Sequence, residues 1–262
     1  MAPLVAAATP LACRWEQRID DLSRRVPAGD GAGRERARDG RLSARPVDTA
    51  QSTLPEPIVG LHPLELDRER DGLRFVPSTY SPDRPHPLVV MLHGAGGDAA
   101  GGLGPFQDRA DEAGMILLAP DSRGRTWDAL LGGYGPDVAF IDQALGQTFG
   151  RYAVDPGNIA VEGFSDGASY ALGLGLANGD LFQRVIAFSP GFVPSGPRHG
   201  RPRIFISHGQ ADDVLPIDRC SRRIVPRLRN MDYDVRYHEF PAGHAIPPDI
   251  VDEALAWWRD GG

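Results

Sequence analysis

The chain contains no lysine; all 28 of its basic residues are arginine. Beside 32 glycines and 24 prolines, this reads as GC-rich coding bias and carries no functional message. Cysteine is nearly as scarce. Cys13 and Cys220 sit in unrelated contexts, which argues against both a disulfide framework and a cysteine zinc site. No uninterrupted apolar run reaches the roughly 18 to 20 residues that a membrane-spanning helix needs, so no span is expected. An excess of positive charge is missing too. The formal net charge of -7 argues against a general nucleic-acid binder, which would usually be basic. What is present is ordinary for a globular protein: 262 residues, 41% hydrophobic and 24% charged, enough for a real core.

Residues 1–39 differ in character from the rest. Leu11, Trp15, Ile19, Leu22 and Val26 recur at near-helical spacing, which predicts one amphipathic helix over residues 12–26. The glycine-rich stretch 27–33 and the charged run 34–39 read as linker. The first dozen residues are small and apolar, but no basic segment precedes Pro3 and two prolines interrupt them. Residues 1–39 are therefore expected to be a flexible extension, residues 40–262 the main folded domain, and the location cytoplasmic rather than secreted.

From Gly40 onward short apolar runs end in Gly, Pro or Asp. They cover residues 87–92, 115–119, 158–164, 184–188, 203–207 and 234–240, with shorter strands expected over 41–45 and 72–76. Such runs suit strands covered on both faces, as in a parallel sheet. Helical periodicity falls between several of them, over residues 137–149, 167–177, 218–229 and 248–259. Alternating strand and helix predicts an α/β fold with right-handed crossovers.

The chemistry-bearing residues fall at the predicted strand ends. Gly163-Phe164-Ser165-Asp166-Gly167 follows a strand and opens a helix, the context of a nucleophile elbow. A helix N-terminus there favours developing negative charge. A serine nucleophile needs a base, and the base needs an orienting acid. Later strand ends supply both, in the order Ser165, then Asp212 or Asp213, then His244. His208 is expected to brace the acid loop. An acyl-transfer site also needs donors for the oxyanion. His93-Gly94-Ala95-Gly96-Gly97 follows the first long apolar strand, which points to the backbone amides of Ala95 and Asp166.

These motifs (HGAGG, GFSDG, HGQADDVLP and AGHAIPP) together resemble the α/β-hydrolase superfamily from about Gly40 to the last residue. Within it the chain looks most like the carboxylesterase/phospholipase branch and the polyhydroxybutyrate-depolymerase-like and feruloyl-type esterases. The resemblance implies a mostly parallel sheet flanked by helices and a serine hydrolase of carboxylic esters needing no cofactor or metal. In that branch the acid lies four residues after a His and four before a Pro. That register falls on Asp212, between His208 and Pro216. One departure stands out: relatives of the acyl-thioesterase type carry Gln where this chain has Asp166.

The loops bear on substrate. Residues 189–202, where many relatives insert a cap, are too short to build one, so an open cleft is expected. A serine nucleophile argues against epoxide hydrolase and dehalogenase chemistry, which resemblance assigns to Asp. The absence of internal repeats argues against a propeller-gated peptidase. Trp127, Phe192, Val214 and Ile246 are candidate pocket-lining residues. A small or oligomeric ester is the expected partner. A polyester depolymerase or feruloyl-type esterase is the alternative, and a non-catalytic hydrolase-fold binding protein the second.

Overall fold

The apolar runs pair into one eight-stranded sheet in the computed structural model, which describes residues 31–47 and 54–260. The strands are β1 (Gly60–Pro63), β2 (Gly72–Val76), β3 (His86–Leu92), β4 (Ile116–Pro120), β5 (Val154–Phe164), β6 (Arg184–Phe188), β7 (Arg203–Gly209) and β8 (Val235–Phe240). Their order across the sheet is β1-β2-β4-β3-β5-β6-β7-β8. β2 runs antiparallel to β1 and β4, and every other pairing is parallel. The chain leaves β3 for β4 on one side and returns to β5 on the other. That reversal opens a crevice at the carboxyl ends of β3 and β5, where Leu92 pairs with Gly163.

Helices cover both faces. α2 (Ala99–Ala113) and α6 (Pro248–Arg259) bury Leu103, Phe106, Ile250 and Ala254 against Val89, Met91, Ala160 and Ile186. On the other face, α3 (Pro136–Phe149), α4 (Asp166–Ala177) and α5 (Ser221–Arg229) pack on Leu88, Val90, Val161 and Ile204. Successive strand residues thus feed two separate apolar layers, which is why the runs lack polar alternation. Among the described residues no helix is long and apolar enough to cross a membrane.

Three local expectations change. Part of the stretch read as linker is helix α1 (Gly31–Arg38), whose buried Ala37 joins the core. Gly40, at φ 72°, ends it, with the Arg41 amide returning to the Arg36 carbonyl at 2.8 Å. Residues 41–45, read as a strand, pair with no strand. The amides of residues 42–44 are taken by side chains instead: Leu42 by Asn178 Oδ1 at 2.8 Å, Ser43 and Ala44 by Asp142 Oδ1 at 2.7 and 2.8 Å. Helix α2 was not expected, because Gly101, Gly102, Gly104 and Pro105 disfavour it. Asp98 caps its start by accepting from the Gly101 amide, and Gly114 closes it at φ 65°. The helix predicted over residues 12–26 lies outside the described residues.

Candidate active site

The turn after β5 is dictated by sterics. A Cβ on Gly163 would stand 2.3 Å from the Gly167 carbonyl, and one on Gly167 would stand 2.0 Å from the Leu92 carbonyl oxygen. Only glycine fits either place. Between them Ser165 is held at φ 56° and ψ -116°, a strained conformation for a residue with a side chain. Its amide donates to the Phe188 carbonyl at 2.9 Å, which ties the turn to the end of β6.

Three side chains meet here from three strand ends. Ser165 Oγ lies 2.9 Å from His244 Nε2, and His244 Nδ1 lies 2.7 Å from Asp212 Oδ2. A carboxylate can only accept, so Nδ1 carries the proton and Nε2 is left to accept from the serine hydroxyl. The Phe164 ring packs on the imidazole with centroids 4.6 Å apart. Asp212 is buried and its other oxygen accepts the amides of Val214 and Leu215 at 3.0 and 2.7 Å. Burial alone raises this carboxyl, but bonds from His244 and the Leu215 amide outweigh it and hold it below its ordinary range. Asp213, the other acid considered, is exposed and makes no hydrogen bond to His244.

His208 stands beneath the acid loop. Its Nε2 donates to the Leu215 carbonyl at 2.8 Å and sits 3.2 Å from Asp212 Oδ2, while Nδ1 accepts from the Ser221 hydroxyl at 2.7 Å. Burial lowers its basicity, which suits a neutral brace. His93 is buried in the same way beneath the glycine loop after β3. Its Nδ1 donates to the Gly94 carbonyl at 2.7 Å and its Nε2 accepts the Ser122 amide at 3.0 Å. Desolvation again lowers its pKa.

The amides of Ala95 and Asp166 donate to no acceptor among the described residues. Ala95 is exposed in the loop beyond β3, and Asp166 opens α4 beside Ser165.

Of the four candidate pocket residues, Trp127 is a correction. It is 0% exposed, its ring packed between His93 and Tyr170 and its Nε1 donating to the His93 carbonyl at 2.9 Å. The loop folds the indole inward to hold the glycine loop, so it offers no wall to a ligand. Phe192 and Val214 are 46% and 61% exposed, large apolar surface on the loops after β6 and β7. Ile246 is half-buried against the α2/α6 layer. Sequence reasoning missed Thr126, whose hydroxyl donates to Asp166 Oδ2 at 2.6 Å. Its place beside Trp127 at a strand-end loop was the available signal.

A phospholipase/carboxylesterase family model matches residues 138–258. A probable feruloyl esterase C of Aspergillus oryzae is 30% identical over 174 residues, 63% of this chain and 62% of that protein. A putative esterase, NocK, of Nocardia uniformis is 31% identical over 197 residues, 69% of this chain and 54% of that protein. The chain thus spans less than two thirds of the length of these curated relatives. Among solved structures, esterase PE8 superposes with a TM-score of 0.60 at 25% identity, covering 74% of this chain and 99% of that one.

Proposed function

We propose, for this member of the α/β-hydrolase superfamily, a serine esterase activity on carboxylic esters. The observation that carries it is the hydrogen-bonded line from Ser165 Oγ through His244 to buried Asp212, at 2.9 and 2.7 Å. The unengaged amides of Ala95 and Asp166 support the reading as its oxyanion donors, which acyl transfer requires. The esterase relatives support the same reading.

In this mechanism His244 Nε2 takes the Ser165 proton as Oγ attacks the ester carbonyl. The carbonyl oxygen, now negative, receives the Ala95 and Asp166 amides. Asp212 holds the proton-bearing Nδ1 and stabilises the imidazolium that forms. The tetrahedral intermediate collapses to an acyl-serine as His244 returns the proton to the departing alcohol. Water, deprotonated by the same imidazole, then releases the acid and restores Ser165.

The substrate is proposed to be a small or oligomeric ester that enters an open cleft. Residues 189–202 form no cap, and exposed Phe192 and Val214 offer apolar contact to an acyl or aryl group. A feruloyl-type esterase is the second reading, favoured by the likeness to feruloyl esterases. The test is hydrolysis of p-nitrophenyl esters from acetate to palmitate, with methyl ferulate alongside and Ser165→Ala as control. Turnover that vanishes in the variant is expected; equal turnover by wild type and the pure variant would overturn the assignment. Preference for methyl ferulate over p-nitrophenyl butyrate would select the second reading.

A further inference from the structure

The two oxyanion donors of the proposed esterase belong to separate segments. Ala95 lies in the loop beyond β3, and Asp166 begins α4 beyond β5. One loop, residues 121–127, reaches both. On one side the Gly96 amide donates to the Arg125 carbonyl at 2.6 Å. On the other, the very next residue, Thr126, donates its hydroxyl to Asp166 Oδ2 at 2.6 Å.

The loop between these grips is itself held firmly. The Ser122 amide is fixed on His93 Nε2 at 3.0 Å, the Ser122 hydroxyl on the Gly124 carbonyl at 2.9 Å, and buried Trp127 on the His93 carbonyl. Arg70 donates to the carbonyls of both Ser122 and Gly97, joining this loop to the glycine loop a second time. The glycine-loop side therefore has several ties. On the elbow side Trp127 packs on Tyr170, and the loop's one hydrogen bond there is that of the Thr126 hydroxyl, which is also the one hydrogen bond that the Asp166 carboxylate makes among the described residues.

We infer that Thr126 is a positioning residue that clasps the two halves of the oxyanion hole at working distance and holds the Asp166 carboxylate away from the oxyanion. This rests on the esterase reading above. Both effects act on a charge that appears only as the reaction proceeds. A carboxylate free to swing beside its own amide would oppose the developing negative oxygen, and slack between the donors would lengthen their bonds to it. Ground-state binding of a neutral ester involves neither, so the loss belongs in kcat rather than KM.

The experiment compares Thr126→Val, which keeps the shape and removes the hydroxyl, with Thr126→Ser, which keeps the hydroxyl. Complete loss of an oxyanion donor costs about 100- to 1000-fold. A donor displaced rather than lost is expected to lower kcat for p-nitrophenyl butyrate about 10- to 100-fold, with KM changed less than about threefold. Affinity for an aryl trifluoromethyl ketone, whose adduct with Ser165 carries the oxyanion, falls in parallel, and Thr126→Ser recovers most of both. Unchanged kcat and ketone affinity in Thr126→Val would overturn the proposal. So would a loss that Thr126→Ser shares, or one confined to KM or to thermal stability. If the wild type cleaves no ester, the esterase reading fails separately, and the rate of fluorophosphonate labelling at Ser165 tests the clasp instead. Slower labelling in Thr126→Val, restored in Thr126→Ser, supports it; no labelling of the wild type overturns it as well.

Discussion

Replacing Glu162 with methionine is expected to stabilise the fold, by an amount that grows as pH rises. Glu162 lies in β5, three residues before Ser165, on the face covered by α2 and α6. It is buried, and neither carboxyl oxygen has a hydrogen-bond partner among the described residues. Its in-register neighbours, Met91 and Ile186, are apolar and fully buried. Desolvation pushes its pKa well above the ordinary glutamate range, so the folded chain keeps this proton to higher pH than the unfolded chain does. A buried polar group without a partner costs about 1–3 kcal/mol in proteins, and methionine fills a similar length without it. That gain applies below the ordinary glutamate pKa of about 4.3. Above it the unfolded chain releases the proton and the folded chain keeps it. The folded state then binds more protons, so wild-type stability falls as pH rises, by about 1.4 kcal/mol per pH unit, until the folded pKa is reached. Between pH 5 and pH 7 the advantage of Glu162→Met therefore widens by up to about 3 kcal/mol. Titrations shared by the two proteins cancel in the difference. Urea unfolding followed by tryptophan fluorescence at pH 5, 6, 7 and 8 reads this directly. A difference that stays constant with pH, or a variant less stable than wild type at pH 7, would refute the reasoning.

Asn178→Ala is expected to destabilise the fold by about 3 kcal/mol, measured by urea unfolding. The buried amide accepts from Leu42 N at 2.8 Å and donates to the carbonyls of Gly40 at 2.7 Å and Leu174 at 2.9 Å, and alanine strands all three. Asp180→Ala, which removes only the exposed pairs to Arg41 and Arg45, is expected to cost no more than about 1 kcal/mol in the same assay. Asp212→Asn is expected to lower kcat by about 10,000-fold while the acid loop stays folded. The new oxygen can keep the Val214 and Leu215 amides, but its NH2 then faces His244 Nδ1 and drives the proton to Nε2, where it blocks acceptance from Ser165. A loss of less than tenfold at pH 8, measured with p-nitrophenyl butyrate, would remove Asp212 from the proposed role.

What could be read from the residues alone was what local sterics impose. Five buried strands announced themselves because both faces are covered, so Leu88 to Leu92 or Arg184 to Phe188 carry no polar alternation. The elbow was legible for the same kind of reason: Gly163 and Gly167 flank Ser165 because a Cβ at either place collides with backbone. The errors fall where distant contact overrides local preference. The pattern of residues 41–45 suits a strand, yet the amides of residues 42–44 are claimed by side chains about 100 and 136 positions away. α2 forms in spite of three glycines and a proline because Leu103, Phe106 and Ala110 bury one side of it. Trp127 shows the limit most clearly. Its place on a strand-end loop was visible, but the direction of its ring depends on His93 and Tyr170, 34 and 43 positions away. Thr126 is the converse case: its place on a strand-end loop is a weak local mark for a small polar residue, and its partner lies 40 positions on. The proposed reactive groups are thus marked by backbone geometry that sequence encodes within a few residues. The groups that hold them in place are marked only by the pairing of loops, and that pairing is a property of the folded sheet.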